Sequence, residues 1–236
     1  MITPMEAILL AGGQAKRLGA AAGGKPKALV PVAGRPLAGY QVEQLAAARV
    51  ARVIVSCAAG QEDLFEAELR GIGPEIVTAP EPERLGRGGG LRFAAALREE
   101  DGPLYAMNAD ELLDLDFDAL LVRHRQTDAA ATITVCPLVS PFGVVDLDAD
   151  DRVTGFREAP PLPHWVSAGV YVLDEEALRR LPERGDHETS TFPELAREGK
   201  LRAFRHRSLW LTVNTEKDLD RANSQLRADP DALLPK

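Results

Sequence analysis

The apolar run Ala7-Ile8-Leu9-Leu10 passes directly into Ala11-Gly12-Gly13-Gln14-Ala15-Lys16-Arg17-Leu18, and Pro26-Lys27 follows shortly after. The apolar run reads as a strand, and the glycines as the turn that leads out of it. Glycines at 12 and 13 let backbone N–H groups approach a ligand that any Cβ would hold away, and successive amides in such a turn form an anion-binding concavity. Arg17 adds a planar fork for phosphate oxygens, and Lys27 a compact point charge. The spacing is not that of a P-loop, and Ala15 stands where a dinucleotide fingerprint needs another glycine. A tight turn flanked by two solvated cations is the alternative reading of the same residues; the combination of Arg17 with Pro26-Lys27 favours a polyphosphate cradle.

Strand and helix signals alternate outward from this stretch. Pro36 opens a helix carrying Tyr40, Val42 and Leu45, Arg52–Ser56 reads as a buried strand, and Gln61–Arg70 as an amphipathic helix. Glu75–Thr78 reads as a short strand, Ala79–Gly90 as a loop, Leu91–Arg98 as a helix, and Leu104–Asn108 as a strand closed by Ala109-Asp110. This is the rhythm of an α/β fold with a mostly parallel sheet and helices on both faces. Ligands in such sheets lie beyond the carboxyl ends of the strands, which brings the loops after Leu10, Thr78 and Asn108 to one edge.

After about residue 130 the pattern shifts to strands, at Ala131–Pro137, Val144–Leu147, Val153–Arg157 and Val166–Leu173. They read as a mixed-sheet extension along one side of a substrate cleft. Helices at Glu175–Leu181 and Thr191–Arg197, strands near Arg202–His206 and Leu209–Val213, and a helix at Glu216–Leu226 follow. The chain is thus expected to form one domain over residues 1–228, with halves divided near residue 130, and a frayed tail over 229–236.

Among 236 residues, 45% are hydrophobic and 27% charged, with a net charge of −8. That balance argues against a general nucleic-acid or membrane surface, so the N-terminal cations form a local site in an acidic protein. Neither a leader pattern nor a run of about 18 apolar residues is present, and a cytoplasmic location is expected. Cys57 and Cys136 lie in or beside apolar runs, as buried reduced thiols do. His124, His164, His187 and His206 have no partners at metal-ligand spacing and are assigned surface or structural roles.

Asp110 ends a strand at the same edge as the glycine loop, where a carboxylate would hold Mg²⁺ against a triphosphate; a turn or cap residue is the plain alternative. Glu111, Asp114 and Asp116 read as a solvated acidic face and the N-cap of a helix beginning near Phe117. The second glycine loop, with Gly86, Gly88 and Gly89, suits close reading of a flat base, while Arg87 fits a phosphate contact or a surface charge equally. Gly143, Glu158, Ala168 and Gly169 supply backbone approach, a carboxylate and small residues suited to sugar hydroxyls. No nucleophile elbow is visible, which points to catalysis by positioning and charge stabilisation.

Taken together, Leu10-Ala11-Gly12-Gly13, Arg17-Leu18, Pro26-Lys27 through Arg35-Pro36-Leu37, Leu85-Gly86-Arg87-Gly88-Gly89, Asn108-Ala109-Asp110, Phe142-Gly143-Val144-Val145, Phe156-Arg157-Glu158-Ala159-Pro160, Ala168-Gly169-Val170-Tyr171-Val172 and Trp210 with Asp218-Leu219 resemble, in order, the nucleoside-diphosphate-sugar pyrophosphorylases of mannose-1-phosphate guanylyltransferase type. The resemblance implies a Rossmann-like nucleotidyltransferase fold. It also implies attack of a sugar 1-phosphate on the α-phosphorus of a nucleoside triphosphate. In that scheme Leu10, Ala11, Gly12, Gly13, Gly86, Gly88 and Gly89 bind the nucleotide; Arg17 and Lys27 stabilise phosphates; Asp110 holds magnesium, with Thr212 or Asn214 as further neutral oxygens; and Glu158 orients the sugar. Four positions depart from the family pattern: Ala15 and Lys16 replace glycine and threonine, Ala159 replaces a lysine, and Thr212 replaces an aspartate. Molybdenum-cofactor guanylyltransferases share the Leu-Ala-Gly-Gly opening and a Val213-Asn214-Thr215 pattern. Transfer to another phosphate acceptor is therefore one alternative, and a non-catalytic nucleotide-sugar-binding paralogue another. Self-association is left open.

Overall fold

A computed structural model describes residues 5–234. The organising element is β1 (Met5–Leu10), whose residues Ala7, Ile8 and Leu9 are fully buried. It is flanked by two parallel neighbours, β4 (Val50–Ala58) and β6 (Leu104–Asn108), and β5 (Glu75–Glu81) continues the sheet beyond β4. Near-continuous apolar runs such as these are what strands covered on both faces require.

Side chains alternate between the two faces, as strand geometry dictates. Ala7, Leu9, Val53, Val55 and Met107 pack with residues of α1 (Leu37–Ala47), α2 (Glu62–Leu69) and α4 (Phe117–Arg125). Ile8, Ile54 and Ala106 face the opposite way, towards α3 (Gly86–Ala95), α5 (Glu175–Arg179) and α6 (Thr191–Arg197).

The later strands join the same sheet rather than forming another. Its order is β12 (Leu201–Arg205), β8 (Ala131–Val139), β11 (Pro161–Leu173), β6, β1, β4, β5. Strand β11 alone runs antiparallel to its neighbours, and it starts at Pro161, earlier than the apolar pattern from Val166 suggests. Three small ribbons stand apart: β2 (Pro31–Val32) with β3 (Arg35–Pro36), β7 (Glu111–Leu113) with β13 (Trp210–Thr212), and β9 (Val144–Leu147) with β10 (Val153–Arg157).

Two sequence expectations are corrected. Residues 86–90 are not loop: Gly86 begins α3, although glycine is a poor helix former. The cause is tertiary. Gly88 and Gly89 donate backbone N–H groups to the carbonyl of Gly185 at 2.9 and 3.2 Å, and a Cβ on Gly88 would lie 2.7 Å from the His187 backbone nitrogen. The tail is also not frayed as far as it is described. Leu233 is buried, and its carbonyl accepts from Gln44 Nε2 at 2.8 Å; residues 235 and 236 of that expected tail lie outside the described residues.

Leu233 belongs to a third apolar cluster with Leu18, Val30, Val32, Leu37, Leu112, Leu211, Val213, Leu219 and Leu226. This cluster ties the loop after β1 to β13 and to α7 (Glu216–Ala228), whose start carries a reciprocal cap between Thr215 and Asp218.

Candidate active site

The carboxyl ends of β1, β5 and β6 open onto a cleft of about 740 Å³. Its wall includes Leu10, Ala11, Gly12, Gly13, Gly86, Arg17, Lys27 and Asp110, so the glycine turn after β1, the first residue of α3 and three charged residues selected from the sequence converge there. Each charged side chain stands next to an anchored residue. Leu18 after Arg17, Ala28 and Leu29 after Lys27, Ala109 before Asp110, and Val213 before Asn214 are all buried. The hydrophobic cluster therefore fixes the backbone, and the polar heads project from it.

Those heads are already joined. Lys27 Nζ donates to Asp110 Oδ2 at 2.5 Å and to Asn214 Oδ1 at 2.6 Å, while Arg17 Nη2 donates to the same Asn214 oxygen at 3.2 Å. Lys27 is only 9% exposed, so it is not the solvated cation of the plainer sequence reading. Asn214 lines the cleft, whereas Thr212 is not among its lining residues. Thr212 Oγ1 instead accepts from Asn214 Nδ2 at 3.1 Å. The β7–β13 pairing sets this up by placing Thr212 opposite Glu111, and Val213 N–H donates to the Asp110 carbonyl at 3.0 Å.

Gly88 and Gly89 are not among the residues lining the cleft. Their missing side chains accommodate the segment at 182–187, a structural use rather than base reading. Facing the glycine loop instead is Glu81, which accepts from Ser56 Oγ at 2.6 Å and from Leu85 N–H at 3.1 Å. Gly90 leaves room for it, since a Cβ there would lie 2.7 Å from Glu81 Oε1 and 3.0 Å from Ser56 Oγ. Arg87 is held by Asp186 at 2.6 Å and Glu188 at 2.7 Å, which raises its pKa further through charge-assisted hydrogen bonds.

A second cavity of about 470 Å³ adjoins the first and shares Arg87, Asn108 and Glu111 with it. Gly169 lines it with φ +71°, and a Cβ there would lie 2.8 Å from Asn108 Nδ2 and 2.9 Å from Glu111 Cγ. Ala168 is fully buried and packs in the core. Gly143 and Glu158 sit together at the base of the β9–β10 hairpin, where a Cβ on Gly143 would lie 3.1 Å from Glu158 Oε2. Neither is among the lining residues of the two cavities.

Glu111 is the residue that sequence reasoning missed most clearly. It is half-buried rather than solvated, and accepts from Trp210 Nε1 at 2.8 Å. Burial and then the neighbouring Asp110 charge push its pKa up to about 8, against the opposing influence of Trp210 and Lys27. Asp116 does cap α4, accepting from Ala119 N–H at 2.8 Å, and Asp114 pairs with His206 at 3.1 Å. His124, His187 and His206 are buried in packing positions. Both cysteines are buried free thiols, pushed up to about 12 by burial.

Residues 6–229 match the profile of the family described as Nucleotidyl transferase. The chain belongs to that family. It is 33% identical to the mannose-1-phosphate guanylyltransferase catalytic subunit beta of Danio rerio over 91% of its own length and 62% of that protein. It is 31% identical to the mannose-1-phosphate guanylyltransferase of Mycobacterium tuberculosis, over 94% of the chain and 64% of that protein. The chain thus spans a little under two thirds of the length of these relatives. Its fold is also that of HddC from Yersinia pseudotuberculosis crystallised with GMP-PN, with a TM-score of 0.72 at 21% identity, covering 94% of this chain and 99% of that one.

Proposed function

We propose that this nucleotidyl transferase catalyses guanylyl transfer from GTP to a hexose 1-phosphate, releasing pyrophosphate. The observation that carries the reading is the convergence of Arg17, Lys27 and Asp110 around one point of the cleft, beside the open backbone of Gly12 and Gly13. The guanylyltransferases among its relatives support the base, as does Glu81. A carboxylate already oriented by Ser56 and Leu85 presents acceptors that match the N1–H and 2-amino donors of guanine.

In this reading a phosphate oxygen of the sugar substrate attacks the α-phosphorus, and the bond from that phosphorus to the bridging oxygen of the β-phosphate breaks. Charge accumulates on the phosphoryl oxygens, and Arg17 and Lys27 neutralise it. The second cavity, with Glu111 and Gly169 at its junction with the cleft, receives the sugar, and Glu158 approaches from the hairpin.

Magnesium suits the donors present. Asp110 Oδ2 and Asn214 Oδ1 already flank a cationic group at 2.5 and 2.6 Å, both are hard oxygen donors, and magnesium needs only one or two protein oxygens beside phosphates and water. Asp110 is the carboxylate that would hold it, and the positive charge of the bound ion would draw electron density from the reacting phosphates. No group of three or more His, Cys, Asp or Glu side chains able to hold a metal occurs among the described residues. Among the described residues no helix is long and apolar enough to cross a membrane.

Pyrophosphate release measured over GTP, ITP, CTP, UTP and dTTP against a set of hexose 1-phosphates and non-sugar phosphate acceptors tests this directly. Turnover fastest with GTP and a hexose 1-phosphate is expected. Turnover only with a non-sugar phosphate, or with none of them, overturns the assignment.

A further inference from the structure

The place where a divalent ion would meet Asp110 is filled, in the protein alone, by the ammonium group of Lys27. The two oxygens that grip it are not free to drift. Asn214 offers its carbonyl oxygen to Lys27 and Arg17 because its amide nitrogen is committed to Thr212 Oγ1, while its backbone N–H donates to Asp218 Oδ2 at 3.2 Å. The carbonyl of Asp110 is in turn fixed by Val213 N–H, one residue before Asn214. One short polypeptide stretch therefore sets the separation of both donors and holds the ammonium between them.

An ammonium group and a divalent ion cannot occupy one such pocket, because their repulsion at contact distance is severe even in a well-screened cleft. A triphosphate changes the balance. It presents several anionic oxygens to the same wall, and Lys27, at the end of a flexible four-carbon stem, can transfer to them. Asp110 and Asn214 are then released together for the metal.

Resting on the nucleotidyl transfer reading above, we propose that Asn214, oriented by Thr212, is a positioning residue that keeps Lys27 on Asp110 until a triphosphate draws it away, so that the divalent ion enters with the nucleotide and not before. Thr212 stands where the family pattern has an aspartate; in this chain a hydroxyl that fixes an amide takes over the position.

Binding of Mn²⁺, followed by the loss of the free-ion electron paramagnetic resonance signal, tests this without turnover. Wild type alone should bind weakly, and addition of a non-hydrolysable GTP analogue should recruit the ion. Lys27→Met should bind Mn²⁺ at least about tenfold more tightly than wild type in the absence of nucleotide, the gain that follows if only about a tenth of wild-type molecules leave the pocket open. Thr212→Val should give a smaller gain of the same sign, without the loss of the charge. Arg17→Met removes an equal charge from the same cleft but leaves Lys27 in place, and should give none.

The inference is overturned if Lys27→Met gains nothing while the analogue still recruits Mn²⁺ to wild type, or if Arg17→Met gains as much as Lys27→Met. Should Lys27→Met fail to fold by thermal melting, Thr212→Val decides: unchanged Mn²⁺ affinity without nucleotide overturns the role of Asn214. If no triphosphate analogue recruits Mn²⁺ to wild type, the nucleotidyl transfer reading fails first and this inference with it, a pattern distinct from the other two.

Discussion

The charged wall of the cleft and the β9–β10 hairpin are built in opposite ways. On the phosphate side, Arg17, Lys27, Asp110 and Asn214 are bonded to one another before any ligand arrives, and each sits beside a buried neighbour. On the hairpin side, β9 and β10 pair only with each other, and Phe142 and Phe156 are 75% and 65% exposed. A lone two-stranded ribbon is marginally stable in water, and here its pairing is accompanied by the exposed bidentate contact of Arg157 with Asp146. Charge stabilisation demands fixed groups, because reorganising them during reaction would cost what they contribute.

Lys27→Ala should have the largest consequence, and it would break the contrast if it did not. Turnover should fall by about 10²–10³. Because Lys27 is buried against Asp110, stability should fall as well, by about 1–3 kcal/mol, for Asp110 is left without its charged partner. Steady-state kinetics beside a denaturant titration checks both; full activity would remove Lys27 from the chemistry.

Gly88→Ala tests whether the rigid side extends below the cleft. The new Cβ would lie 2.7 Å from the backbone nitrogen of His187 and from Pro182 Cγ, and overpacking of this kind costs about 1–3 kcal/mol. A melt identical to wild type would mean that the segment at 182–187 yields freely, contrary to its role as a fixed floor.

The same floor should be sensitive to acid. Burial, with a smaller push from Arg87, lowers the pKa of His187 to about 4 from 6.5. A group depressed in the folded state favours folding above the unfolded pKa, and that contribution is lost as pH falls from 6.5 towards 4. His187→Phe, which keeps a ring beside Tyr171 and Phe192, should therefore flatten the decline of stability over that interval by up to about 1.4 kcal/mol per pH unit. Parallel curves for variant and wild type would contradict it.

The smallest effect belongs to the ribbon. Phe156→Ser should change stability by no more than about 0.5 kcal/mol, as expected of exposed sites, and should alter KM for the sugar phosphate more than for GTP. A large drop in melting temperature would show that this side is as tightly built as the other.

Much of the rigid side was legible in the sequence, since its strand, its glycines and its three charges lie in short recognisable stretches. The sevenfold sheet was partly legible: the parallel rhythm was visible, but not that β11 would knit the later strands into it. Asn214 could not be assigned as the bracket between Arg17 and Lys27, because its partners lie 197 and 187 residues away. The glycines of α3 misled in the other direction. Local propensity assigns them to a loop, and only the close passage of a distant segment makes their lack of side chains an advantage inside a helix. Glu111 was hidden by the acidic residues around it, although Trp210 and the β7–β13 pairing give it a separate environment.

The third apolar cluster joins Leu18 and Leu37 to Leu219, Leu226 and Leu233, residues separated by most of the chain. During synthesis the early strands can pair as they emerge, yet Arg17 and Lys27 have no settled backbone until α7 has left the ribosome and docked. Such long-range closure is slow to form, and its entropy cost precedes its reward. A nascent chain halted before α7 would carry Arg17 and Lys27 without Leu219 and Leu226, part of the apolar cluster that seats the loop around them.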